Sequence, residues 1–244
     1  MPALFRRGQV WLPTLWGALL LLALAALALM ALAFAANELL APHDPARGAD
    51  GRGARTLVVE GWLDEHELAQ VVDAIRRGRY ERVLTTGGPL EGWSAGGDWK
   101  TYAARAAGWL RMHGSADVSV IAVPAPASKQ DRTYLSAVMM REWALQSGVA
   151  LDAIDLYSAG VHARRSRLLY RMALGPGVEV GVMAAAPQGF DAERWWTSSA
   201  ATKLVIGETV SLIWTRCCFW PGAPGTHEER WAVPSQPAAV ASPK

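Results

Sequence analysis

The hydrophobic pattern divides the chain before any motif does. Leu15 to Ala36 reads "LWGALLLLALAALALMALAFAA", with no charged residue. At about 1.5 Å per residue this run spans roughly 33 Å, enough for a bilayer core. Beyond it, short apolar runs alternate with amphipathic stretches. "TLVVEGW" (Thr56–Trp62), "RVLTTGG" (Arg82–Gly88), "VSVIAVP" (Val118–Pro124), "AIDLY" (Ala153–Tyr157) and "VEVGVMAA" (Val178–Ala185) predict five strands. Helices are predicted between them and after the last.

Start signals support the helices. Asp64 with Glu67 three residues on makes a capping box, and Ser128 with Asp131 makes a second S-x-x-D signal for a helix running to about Gly148. Asp98 to His113 is amphipathic, and a last helix is expected over about Ser199 to Trp220. Strand–helix alternation predicts a Rossmann-like three-layer α/β/α domain with a mainly parallel five-stranded sheet, preceded by one N-terminal transmembrane helix. The continuously apolar strands agree, because parallel strands are covered on both faces.

The expected organisation is a cytoplasmic N-terminus (1–10), a transmembrane helix (11–36), a Gly/Pro-rich linker (37–54), the α/β domain (55–220) and a disordered Pro/Ala/Ser-rich tail (221–244). Arg6 and Arg7 precede the apolar run and Glu38 follows it. The positive-inside rule then places the N-terminus in the cytoplasm and the domain outside, on a single-pass inner-membrane protein. The small residues of "AFAANE" (Ala33–Glu38) suit signal-peptide cleavage, but the run exceeds the usual 7–15-residue signal core.

A net charge of +2 over 244 residues argues against a general nucleic-acid binder. Cys217 and Cys218 are adjacent, so they make neither a loop-closing bridge nor a spaced metal site. Neither HExxH nor CxxC occurs, so no metal or cofactor is expected. The first strand exit lacks GxGxxG, which counts against a dinucleotide oxidoreductase.

The polar residues gather at strand exits, where right-handed crossovers bring every strand-to-helix turn to one rim. The candidate ligand-binding residues there are Gly61, Thr86, Gly87, Gly88, Asp131, Thr133, Ser158 and Arg164, with His162 and Glu60 as candidate catalytic groups. Glycines let backbone N–H groups approach an anion. Arg supplies paired donors, and imidazole transfers protons near neutral pH. Simple alternatives stand beside each: a tight turn for the glycines, a capping role for Ser128, Asp131 and Thr133, an ion pair for Glu60.

"SAGVHARRSR" (Ser158–Arg167) is the sharpest case, because it sets cations at a helix start, where they are locally unfavourable. Helical spacing puts Arg164, Arg167 and Arg171 on one face and turns Arg165 elsewhere. Arg167 and Arg171 are assigned to a solvated face. The charge at the helix start implies a bound anion, with an ion pair to Glu60 or Asp131 as the alternative.

Together "VVEGW", "TTGG", "SKQDRTY" and "SAGVHARRS" resemble the YdcF-like family, which includes the ElyC and SanA envelope proteins. The resemblance covers about Arg55 to Glu208. Three positions depart from the family pattern. Glu60-Gly61 stands where a second Gly is common, Arg132 replaces the usual Asn, and Asp98 stands in for an acidic residue near the next helix start, where this chain has Tyr102-Ala103. The resemblance implies a Rossmann-like fold, a membrane anchor and an envelope-linked role, without a reaction. The partner expected is a phosphorylated or otherwise anionic small molecule or lipid-linked intermediate. The competing reading is a non-catalytic scaffold or binding module for envelope assembly, which the Trp-rich C-terminal region favours.

Overall fold

The computed structural model describes residues 13–48, 51, 53–78, 80–90, 99–114 and 117–231. Arg6, Arg7, Asp98 and the tail beyond 231 lie outside the described residues.

The chain divides into two units, residues 1–36 and 37–244. In the first, helix α1 begins at Leu15; it ends at Leu40, inside the second. It is long and apolar enough to cross a membrane.

The second unit is a doubly wound α/β domain. Its strands are β1 (His43–Asp44), β2 (Thr56–Glu60), β3 (Arg82–Gly87), β4 (Ser119–Pro124), β5 (Ala153–Ala159) and β6 (Glu179–Ala185). Its helices are α2 (Glu65–Arg77), α3 (Tyr102–His113), α4 (Arg132–Gln146), α5 (Ala163–Leu174) and α6 (Ser199–Cys218). The sheet order is β1-β6-β5-β2-β3-β4, with β2 to β6 all parallel.

Side-chain alternation along β2 explains the three layers. Leu57 and Val59 pack against Leu68, Val71, Val72 and Ile75 of α2 and Ala106 and Leu110 of α3. Val58 points the other way, into a cluster with Tyr134, Ala137 and Val138 of α4 and Leu169, Tyr170 and Ala173 of α5. Burial on both faces is why these strands lack a polar alternation.

Helix α2 starts as its sequence signal predicts. The Asp64 side chain accepts from Glu67 N at 2.8 Å, and Glu67 Oε2 accepts from Asp64 N at 3.0 Å. The second start signal fails. Ser128 folds onto Gln130 instead, and α4 begins at Arg132. Asp131 holds the N-cap position in the left-handed conformation (φ 52°) and makes no side-chain cap bond.

Two segments expected to be unstructured are built into the fold. In the linker, His43 and Asp44 add an antiparallel edge strand to β6. Ala46 N–H donates to Asp155 Oδ1 at 2.6 Å, and Tyr80 OH donates to Oδ2 at 2.8 Å. Gly181 makes this possible, since a Cβ there would lie 2.0 Å from Ala46 N. At the C-terminus, Glu229 is buried against α4. It accepts from Arg141 at 2.8 and 2.6 Å, from Tyr134 OH at 2.8 Å and from Gly225 N at 2.7 Å. The strap 221–231 therefore belongs to the domain.

Candidate functional site

The sheet reverses its winding between β2 and β5. From β2 the chain runs outward through β3 and β4, then returns to β5 on the other side. Ligands in open α/β sheets bind beyond the carboxyl ends of strands at such a reversal. A cavity of about 1060 Å³ lies there, lined among others by Glu60, Thr86, Gly87, Gly88, Lys129, Asp131, Thr133, His162, Arg165 and Glu208.

Glu60 leaves β2 at the base of this cavity and is only 3% exposed. Two hydroxyls hold its carboxylate. Ser158 of β5 donates to Oε2 and Ser166 of α5 donates to Oε1 at 3.0 Å. Both Ser are fully buried. The serines thus satisfy a buried acidic group that would otherwise be costly. Thr86, the next strand over, pairs its hydroxyl with Tyr170 OH at 2.9 Å. Burial, then the neighbouring Glu60 charge, pushes the Tyr170 phenol far above its ordinary value. Tyr170 is therefore a neutral hydrogen-bonding strut.

His162 closes a 3-10 turn, Gly160–His162, that links β5 to α5. Its Nδ1 lies 3.0 Å from Glu208 Oε1 and 2.9 Å from Arg165 Nη2. With a proton on Nδ1 the ring donates to Glu208; without one it accepts from Arg165. Trp62 meets the imidazole edge-on at 5.1 Å. The other ring nitrogen, Nε2, is buried and has no protein partner. Arg165 binds Glu208 through Nε and Nη2 at 2.8 and 3.1 Å. Burial alone raises the Glu208 carboxyl, but hydrogen bonds from His162 and Arg165 outweigh it and hold the group down at about 2.

The predicted site residues separate into three groups. Glu60, Thr86, Gly87, Gly88, Asp131, Thr133 and His162 all line the cavity. Ser158 lies behind it, in the support of Glu60. Gly61 is a packing residue: a Cβ there would sit 2.5 Å from Tyr102 O and 2.7 Å from Thr86 O. Arg164 is not among the lining residues, and Arg165 takes the place expected of it.

The helix-start charges also find different partners. The ion-pair partner at the rim is Glu208 from α6, not Glu60 or Asp131. Asp131 pairs with Arg230 of the C-terminal strap at 2.7 Å. Arg167 is not on a solvated face: it bonds Val180 O at 2.7 Å and Asp44 of the edge strand at 2.8 Å. Arg171 is exposed, as expected.

Glu208, which lines the cavity, and Ser166, which supports Glu60, were not among the expected site residues. Ser166 carried a usable signal, lying eight residues from Ser158 within the same motif. Glu208 carried none for a site role: with Lys203 and Arg216 its charge spoke only against a second membrane span and for a helix packed on the sheet.

The adjacent cysteines are joined to one another, Cys217 to Cys218, at the end of α6. Such a bridge closes only the ring between neighbouring residues. Among the described residues no cluster of three or more His, Cys, Asp or Glu is arranged to hold a metal ion.

The fold and site define a Rossmann-like α/β domain with a helix of membrane-spanning length in the same chain. No protein-family model matches the chain, and no curated protein matches it at a significant level.

Proposed function

We propose that this domain binds an anionic, phosphorylated ligand at the strand-exit rim, outside the cytoplasm and tethered to the membrane, in cell-envelope biogenesis. The observation that carries the binding site is His162 Nε2, a buried nitrogen without a protein partner in a residue lining the cavity. When the ring is protonated, Nδ1–H is matched by Glu208 and Nε2–H is left for a ligand oxygen.

Three further features favour an anion. Lys129 is exposed on the cavity lining, and Arg132 lines it too. The first turn of α4 opens beside Thr133 without a side-chain cap, so its amide donors and dipole face a negative group favourably. His162 and Glu60 are the candidates for proton transfer to or from such a ligand. The envelope role rests on the YdcF-like motifs, and the outward orientation on Arg6 and Arg7 before the apolar run.

The test is thermal unfolding of the full chain in detergent micelles, titrated with inorganic phosphate, a sugar phosphate and a nucleoside diphosphate. At least one is expected to raise Tm saturably, and His162→Ala and Lys129→Ala are each expected to weaken that rise. Binding at the rim is rejected if none raises Tm, or if His162→Ala leaves the titration unchanged.

A further inference from the structure

The outward face of α6 is the wrong polarity for a helix facing water. Ile206, Val210 and Ile213 are 54%, 60% and 60% exposed, and Trp214 is 50% exposed. These positions recur at helical spacing, so they form one stripe. The inward face is filled by Ala201, Val205, Leu212 and Thr215, all buried in the domain. From Leu204 to Thr215 the single charged residue is Glu208, and it is turned inward onto His162 and Arg165. Cations stand only at the two ends of the stripe, Lys203 and Arg216, both exposed. Trp220, just past the helix, is 81% exposed.

We infer that this stripe lies on the bilayer surface, with α6 parallel to the membrane plane. The occupant follows from the chain itself. The sheet begins at His43, seven residues after the apolar run ends at Ala36. Helix α1 takes up the first four of these, to Leu40, so only Ala41 and Pro42 stand between it and the edge strand. With Leu15–Ala36 in the bilayer, so short a connection keeps the domain within reach of lipid. The α6 stripe has the chemistry for that contact: aliphatic side chains for the acyl boundary, Trp for the headgroup level, and terminal cations for anionic lipid.

Leu204, Val210 and Trp214 belong to both surfaces, exposed on α6 and lining the cavity. The docked domain therefore opens its site beside the headgroups. This placement is independent of which ligand the site takes.

The experiment uses the full chain in vesicles of three parts phosphatidylcholine to one part phosphatidylglycerol. Cys217 and Cys218 are replaced by Ser, and a nitroxide is attached at Val210→Cys, Ile213→Cys or, as a water-facing control on the opposite side of the sheet, Arg76→Cys. Collision rates with oxygen, which partitions into lipid, and with a water-soluble nickel chelate are compared. Positions 210 and 213 are expected to favour oxygen several-fold relative to position 76. Equal ratios at all three positions overturn the inference, because the stripe then faces water. Protection from both reagents at 210 and 213 also overturns it, because the stripe is then covered by protein.

Discussion

His162 and Glu208 stand 46 residues apart in sequence and 3.0 Å apart in space, joined through the imidazole Nδ1. The pair fixes which nitrogen the ring offers to the cavity. It also answers the concentration of positive charge at the start of α5, since the same carboxylate takes Arg165 through both oxygens.

Glu208→Gln removes the charge that faces both Arg165 and His162. Its carboxylate is 14% exposed, so water screens the pair poorly. Breaking a buried ion pair by removing one partner costs roughly 3 kcal/mol. Urea unfolding of the variant is expected to show a loss of about that size. Phosphate affinity is expected to fall with it, because His162 loses the charged acceptor that holds its ring.

The same carboxylate sets an acid limb on stability. Its folded value of about 2 lies below the ordinary 4.5. A depressed carboxyl contributes stability that is fully present above the unfolded value and lost as pH falls through the folded one. The Glu229 carboxyl is lowered as well, with burial opposed and outweighed by Arg141, Gly225 N and Tyr134. Tm is expected to hold at pH 5 and above and to fall steeply between about pH 4.5 and 2. In Glu208→Gln the fall between those values is expected to be shallower.

Glu229→Ala tests the C-terminal strap. The variant leaves Arg141 with a single weaker acid partner, Glu142 at 3.2 Å, and strands Tyr134 OH. A loss of about 3 kcal/mol is expected on unfolding in urea. Limited proteolysis of the folded protein is expected to cut within 221–231 in the variant and not in the parent chain.

Two glycines separate packing from binding. Gly61→Ala forces a methyl into backbone oxygens at 2.5 and 2.7 Å and is expected to destabilise by about 1–3 kcal/mol. Gly88→Ala meets nothing closer than 3.5 Å and is expected to change stability by less than about 0.5 kcal/mol. Because Gly88 lines the cavity, phosphate titration of that variant reports whether its backbone is approached by ligand.

The strands, their parallel direction and the rim were legible because each rests on local information. An apolar strand followed by Gly and polar residues encodes both its burial and its exit. The Asp64–Glu67 box was legible for the same reason, as both partners lie within one turn. The choice between Arg164 and Arg165 was not. A 3-10 turn over Gly160–His162 precedes α5, and its tighter winding sets where the helix points its first residues.

What the sequence determined by itself is the order of elements, the apolar segment of membrane-spanning length and the grouping of polar residues at strand exits. These follow from periodicity and turn chemistry within short windows. The tertiary structure alone decided the partners. It brought Glu208 to His162, Asp44 to Arg167, Glu229 to Arg141 and Ser166 to Glu60. Charged and hydroxyl side chains carry no mark of a distant partner. They are paired by whichever elements the sheet order and helix packing bring side by side, and an unpaired polar group in those places would be costly to bury.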